Sequence, residues 1–203
     1  MSKFIKGKPI ARIKLNSVPE DAKTLVVITT LLFGPEKDSH LFDNLERFYL
    51  LNRDKNIFFG ILGDLPDAKE KRRPGDEKTI MYAKERIDLL NNEHGGKFCL
   101  FIRERSENKK DGLFGGRERK RGAVVDLVSY IKTGSQRGGG YYGGDFISTI
   151  KYILTLDADT NLSLGSINEL LGVALHPLNK PQVFGGRVTE GYAIFQPLMR
   201  TEL

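Results

Sequence analysis

Apolar positions fall into short continuous runs separated by polar and glycine-rich stretches. The β-branched run Leu25-Val26-Val27-Ile28-Thr29-Thr30-Leu31-Leu32 ends at Gly34-Pro35 and predicts a first strand. Asn56 to Leu62 predicts a second, opening into Gly63-Asp64-Leu65-Pro66-Asp67, and Lys97 to Arg103 a third. Tyr152 to Leu156 predicts a fourth, buried in a parallel sheet. Between these runs the period lengthens to that of a helix. Leu41, Leu45 and Phe48 share a face behind a cap at Asp38 or Ser39. Ile80, Ala83, Ile87 and Leu90 share another from Asp76 on, ended by Asn91-Asn92 and Gly95-Gly96. Val124, Val128 and Ile131 form a third stripe, and Ser166 and Glu169 have capping-box spacing ahead of Leu170, Leu171 and Ala174. This alternation predicts an α/β fold with a mostly parallel sheet flanked by helices. Residues 1–24 read as an extended basic leader, and 25–203 as the folded part.

With 203 residues the chain is long enough for one α/β domain with its own core. Its 32 Lys and Arg against 26 Asp and Glu give a formal charge of +6. That favours anionic partners (nucleotides, nucleic acids or acidic membrane surfaces) without choosing among them. No apolar run approaches the ~20 residues of a membrane-spanning helix, which predicts a soluble chain. The start, Met-Ser-Lys-Phe-Ile-Lys-Gly-Lys, lacks the apolar core of a signal peptide. The lone Cys99 excludes a disulfide framework, suits a reducing cytoplasm and reads as a small core residue.

Candidate chemistry begins where the fourth strand stops. Asp157 and Asp159, with only Ala158 between them, stand at the end of that strand, where open α/β sheets place their ligand crevice. Such a pair suits Mg²⁺ or Mn²⁺ shared with a diphosphate; it can equally close a turn and cap the next segment of chain. In Gly115-Gly116-Arg117-Glu118-Arg119-Lys120-Arg121-Gly122 four cations gather at a helix start, where an anion would be welcome. Alone, this segment reads as a solvated basic face or a nucleic-acid patch. Asp64, at the end of the second strand, can accept from a ribose or a base N–H, or serve the turn before Pro66. The tract Gly138-Gly139-Gly140-Tyr141-Tyr142-Gly143-Gly144 reads as a mobile lid or an ordinary disordered loop. His40, His94 and His176 show no paired metal-ligand spacing, and His176 before Pro177 reads as structural.

Several ordered blocks together resemble the glycosyltransferase region of cyclic β-1,2-glucan synthases: Leu154-Thr155-Leu156-Asp157-Ala158-Asp159-Thr160, Ala174-Leu175-His176-Pro177-Leu178-Asn179, and Arg187 to Pro197. Gly116 to Gly122 and Asp64 to Ala68 fit the same pattern. The resemblance implies a GT-A type fold and inverting transfer from UDP-glucose to a glucan or protein acceptor, with a divalent metal. It implies Asp157 and Asp159 as metal and donor ligands, Arg119 and Lys120 at the diphosphate, and Asp64 near the uridine. It also implies that the chain is a piece of a larger membrane-bound enzyme at the cytoplasmic face of the inner membrane. The general base is then expected beyond Leu203, and no nucleic-acid partner is expected. Two rivals are a basic nucleic-acid-binding module, with a steep salt dependence, and a nucleotidyltransferase, which would make or consume pyrophosphate.

Overall fold

The computed structural model describes residues 10–135 and 139–197. The chain divides into two units: Pro19–Ser163 is one, and Met1–Val18 with Leu164–Leu203 the other.

The larger unit is built on a five-stranded sheet. Its elements are β1 (Thr24–Leu31), α1 (Pro35–Leu51), β2 (Ile57–Asp64), α2 (Asp76–His94) and β3 (Phe98–Arg103). A short hairpin follows, β4 (Ser106–Asn108) and β5 (Leu113–Gly115), then α3 (Arg119–Thr133), β6 (Gly139–Gly143) and β7 (Tyr152–Asp157). The strand order is β6-β3-β2-β1-β7, with every pair parallel except β3–β6. The chain steps outward from β1 through β2 to β3 and later returns to β1's other side as β7. That reversal between β1 and β7 is a topological switch point, the place where such sheets open a crevice at their carboxyl ends.

Side-chain alternation divides the core between the two sheet faces. Leu25, Val27, Phe58, Leu62, Cys99 and Phe101 pack with Ala123 and Leu127 of α3. On the other face Tyr49 of α1 meets Phe59 and Phe98 edge-on. β2 is buried along its whole length, which explains why its run reads so clearly as a strand.

Several expectations are corrected. The fourth strand is not buried: β7 is an edge strand among the described residues, and of its side chains only Leu156 is buried. The helix after Gly116 turns Ala123 and Leu127 inward, with Val124 and Ile131 only at the margin. Asp38 does not start α1. Gly34 is the N-cap and Pro35 the first helical residue, while the Asp38 carboxylate reaches back to accept from the Phe33 and Gly34 N–H groups at 2.9 and 2.7 Å. The glycine tract is neither lid nor loop over residues 139–143, which form an edge strand; Gly138 lies outside the described residues. The glycines there permit close pairing: a Cβ on Gly139 would sit 2.8 Å from the Ile102 carbonyl oxygen, and one on Gly143 2.7 Å from that of Phe98.

In the other unit, α4 (Ser166–Ala174) is followed by a 3₁₀ turn at Pro177–Asn179 and an antiparallel hairpin, β8 (Gln182–Phe184) and β9 (Arg187–Glu190). Gly165 is the N-cap of α4, so Ser166 and Glu169 sit one position too late for a capping box. The described part of the expected leader is held against α4. The Ile13 N–H donates to the Gly172 carbonyl at 3.0 Å, and Asn179 Nδ2 donates to Ala11 and Val173 carbonyls. A Cβ on Gly172 would come within 2.3 Å of the Ile13 oxygen, so glycine is required for that approach. His176 is structural, its Nδ1 accepting from the Leu178 N–H at 3.2 Å. No helix among the described residues is long and apolar enough to cross a membrane.

Candidate functional site

The carboxyl ends of the parallel strands place Asp64, Arg103 and Asp157 along one edge of the sheet. Asp64 is level with Arg103 across β2–β3, and Asp157 with Thr29 across β1–β7. The start of α3 brings the basic segment to the same edge, where Lys120 Nζ lies 2.6 Å from Asp157 Oδ1. The Thr29 hydroxyl is 3.5 Å from that oxygen and donates to the Leu156 carbonyl at 3.1 Å, anchoring the strand end. Asp159, two residues on and also exposed, lies within a turn closed by the Thr160 N–H donating to the Asp157 carbonyl.

The basic segment is not an uncompensated cluster. Arg117 pairs with Asp126, Arg119 with Asp67, Lys120 with Asp157 and Arg121 with Glu118. Each of its four cations thus already meets a carboxylate of the chain. The cations of these pairs are exposed; only Asp126, the partner of Arg117, is buried. At Arg119, Lys120 and Arg121 an incoming anion can therefore exchange for the carboxylate at small cost.

Asp64 is committed differently. Both of its oxygens accept from Arg103, Oδ1 from Nε at 2.7 Å and Oδ2 from Nη2 at 2.6 Å, and both residues are buried. Burial alone would disfavour the charged guanidinium. The hydrogen bonds and charges of Asp64 and Asp126 outweigh it and hold the Arg103 pKa above its ordinary value. Sequence reasoning missed Arg103, which reads there only as the end of an apolar run. The signal in retrospect is an arginine closing a buried strand whose neighbour closes with an aspartate.

Two glycines shape the segment. A Cβ on Gly116 would lie 2.2 Å from Asp64 Oδ2 and 2.8 Å from Arg103 Nη2, and one on Gly115 would lie 2.2 Å from Asp67 Oδ1. Gly115-Gly116 therefore lets the chain close over the ends of β2 and β3 before α3 begins.

A separate group was invisible in sequence. Glu46 of α1 and Glu93 and His94 of α2 bring ligand atoms within 4.8 Å of one another, the one such group of three His, Cys, Asp or Glu among the described residues. His94 Nε2 is 2.7 Å from Glu46 Oε1, and its ring stacks obliquely on Tyr49, which accounts for the group as a tie between two helices. Cys99 is a core residue, and burial pushes its thiol up to about 12, so it is no nucleophile.

No family model matches the chain. It is 34% identical over 196 residues, 93% of its length, to the cyclic β-(1,2)-glucan synthase NdvB of Rhizobium meliloti (strain 1021). It spans 7% of that protein's length. Identity at that level across nearly the whole chain makes it a relative of one short segment of a much larger cyclic β-(1,2)-glucan synthase.

Proposed function

We propose that the chain is the donor-binding part of a GT-A type glucosyltransferase that takes UDP-glucose into an inverting transfer building cyclic β-1,2-glucan. The observation that carries the reading is the meeting of Lys120 with Asp157 at the sheet's switch point, in a chain related to a glucan synthase. The two segments are distant in sequence, and a nucleoside diphosphate site needs both: cations for the phosphates and carboxylates for a metal.

Asp157 and Asp159 offer exposed carboxylate oxygens, a hard donor set that fits Mg²⁺ or Mn²⁺, with water and diphosphate oxygens filling the other positions. Such an ion, when bound, supplies charge neutralisation for the departing UDP. Arg119 and Lys120 bind the diphosphate once they leave Asp67 and Asp157. Asp64 supports the donor site, the acceptor is a glucan or a protein, and the general base is supplied by another part of a larger membrane-bound polypeptide. The chain alone then binds donor with little or no glucan synthesis.

Calorimetric titration with UDP and UDP-glucose, with and without Mn²⁺, tests this. Metal-dependent binding is expected, abolished in an Asp157→Ala, Asp159→Ala variant that keeps its circular dichroism. A folded chain that ignores both ligands, with or without metal, overturns the reading.

A further inference from the structure

Arg103 is 3% exposed, and each of its five N–H donors meets an oxygen. Three go to carboxylates: Nε and Nη2 to Asp64, and Nη1 to Asp126 Oδ2 at 3.0 Å. The other two go to backbone carbonyls, Nη1 to Arg117 and Nη2 to Arg119, both at 2.9 Å. Those carbonyls flank Glu118, and the backbone between them is unusual. Glu118 and Arg119 have φ of 53° and 47°, two consecutive non-glycine residues in the left-handed region. Side-chain-bearing residues resist that conformation and hold it only where the surroundings impose it. The guanidinium grips this turn on both sides.

The turn in question launches α3 and aims Arg119 and Lys120. A planar guanidinium with fixed donor directions defines where two carbonyls lie, which a flexible ammonium does not. Asp64 and Asp126 compensate the guanidinium's charge and hold its plane. Gly122 completes the fit, because a Cβ there would meet the Arg117 carbonyl oxygen at 1.9 Å.

We propose that Arg103 is the positioning residue of the donor-phosphate site: it pins the Arg117–Arg119 turn so that Lys120 meets Asp157 and Arg119 meets Asp67. Asp64 is its counter-ion and acts on the donor through it, with no direct contact to the nucleotide. The inference rests on the donor-binding reading above and adds to it the device that sets the cations in place.

A double-mutant cycle on the full chain tests the idea, with UDP and Mn²⁺ as the probe. Arg103→Lys keeps the charge and loses the fork; it is expected to weaken UDP binding about tenfold. Lys120→Ala should weaken binding by a similar factor. In the double variant the two losses should not multiply, because Arg103 acts through Lys120 and its neighbour. Hydrogen exchange supplies a second readout: the Arg119 and Gly122 amides, which donate to Gly116 and Glu118 carbonyls, should exchange faster in Arg103→Lys while α2 amides do not change. Where Arg103→Lys does not fold, Asp126→Asn removes one of the charges that orient the guanidinium and enters the same cycle in its place. Independent, multiplying losses overturn the positioning role, as does wild-type UDP affinity in a folded Arg103→Lys chain. A wild-type chain that binds no UDP overturns the donor reading itself, and the positioning role falls with it. Unchanged Arg119 and Gly122 exchange removes the grip on the turn whatever UDP does.

Discussion

Lys120 Nζ stands 2.6 Å from Asp157 Oδ1, so the chain places its own cation against the carboxylate proposed for a divalent metal. Both side chains are more than half exposed, and the pair is correspondingly weak. Its consequence is competition: ammonium and metal cannot hold the same oxygen in the same way. In the proposed donor complex, diphosphate would draw Lys120 to itself and leave Asp157 to the metal.

Removing the ammonium should therefore separate the two steps. Lys120→Ala is expected to tighten Mn²⁺ binding in the absence of nucleotide by up to about fivefold, the worth of an exposed pair at ~1 kcal/mol. It should weaken UDP binding with metal present. Titrating free Mn²⁺ by its electron paramagnetic resonance signal measures the first effect, and weaker Mn²⁺ binding in the variant contradicts the competition.

Glycine at position 116 is required by packing. Gly116→Ala would drive its methyl into the Asp64 carboxylate and the Arg103 guanidinium, and overpacking of this kind costs about 1–3 kcal/mol. Gly140→Ala is the matched control, since nothing lies within 4 Å of a Cβ there, and it should shift stability by less than about 1 kcal/mol. Urea unfolding of both variants decides whether the contrast holds.

The connection from β2 to α2 carries an acid-sensitive tie. Burial disfavours a charged Asp76. Hydrogen bonds from the Arg105 side chain and the Arg73 N–H, with the charges of both arginines, outweigh it and hold the pKa below the ordinary 3.8. A carboxylate depressed in the folded state stabilises fully above its unfolded pKa, and that contribution is lost as pH falls through the lower folded value. Unfolding followed from pH 7 to pH 2 should show this loss only below about pH 4. Asp76→Asn should be less stable at neutral pH and flatter on the acid side; an unchanged acid limb contradicts the tie.

Cys99 should be silent to alkylating agents. With its thiol pushed up to about 12 and its side chain buried in β3, it carries almost no thiolate near neutrality. Iodoacetamide at pH 8 should label it only after denaturant unfolds the chain, and rapid native labelling contradicts its place in the core.

How much of this was legible depends on what each residue answers to. The runs at 25–32, 56–62 and 97–103 declared three strands because a strand buried on both faces must be apolar at successive positions. The helix from Asp76 to the Gly95 cap was equally plain, its face at Ala83, Ile87 and Leu90 being a local periodicity. The ordered blocks from Asp64 to Pro197 carried the likeness to a glucan synthase without any structure. β7 misled because its run is as apolar as a central strand while its place in the order β6-β3-β2-β1-β7 puts it at an edge. β6 was hidden because glycines that look like a loop are needed where two backbones press together.

The sequence by itself determined the parallel α/β class, the first three strands and the candidate residues Asp64, Arg119, Lys120, Asp157 and Asp159. Only the tertiary structure decided which of them meet. Strand order and the closure of Gly115-Gly116 over β2 and β3 paired Lys120 with Asp157 and gave Asp64 to Arg103. Local pattern reports what a residue's own helix or strand needs. Ion pairs between residues 37 and 39 positions apart arise from packing of distant elements, and no local pattern encodes that.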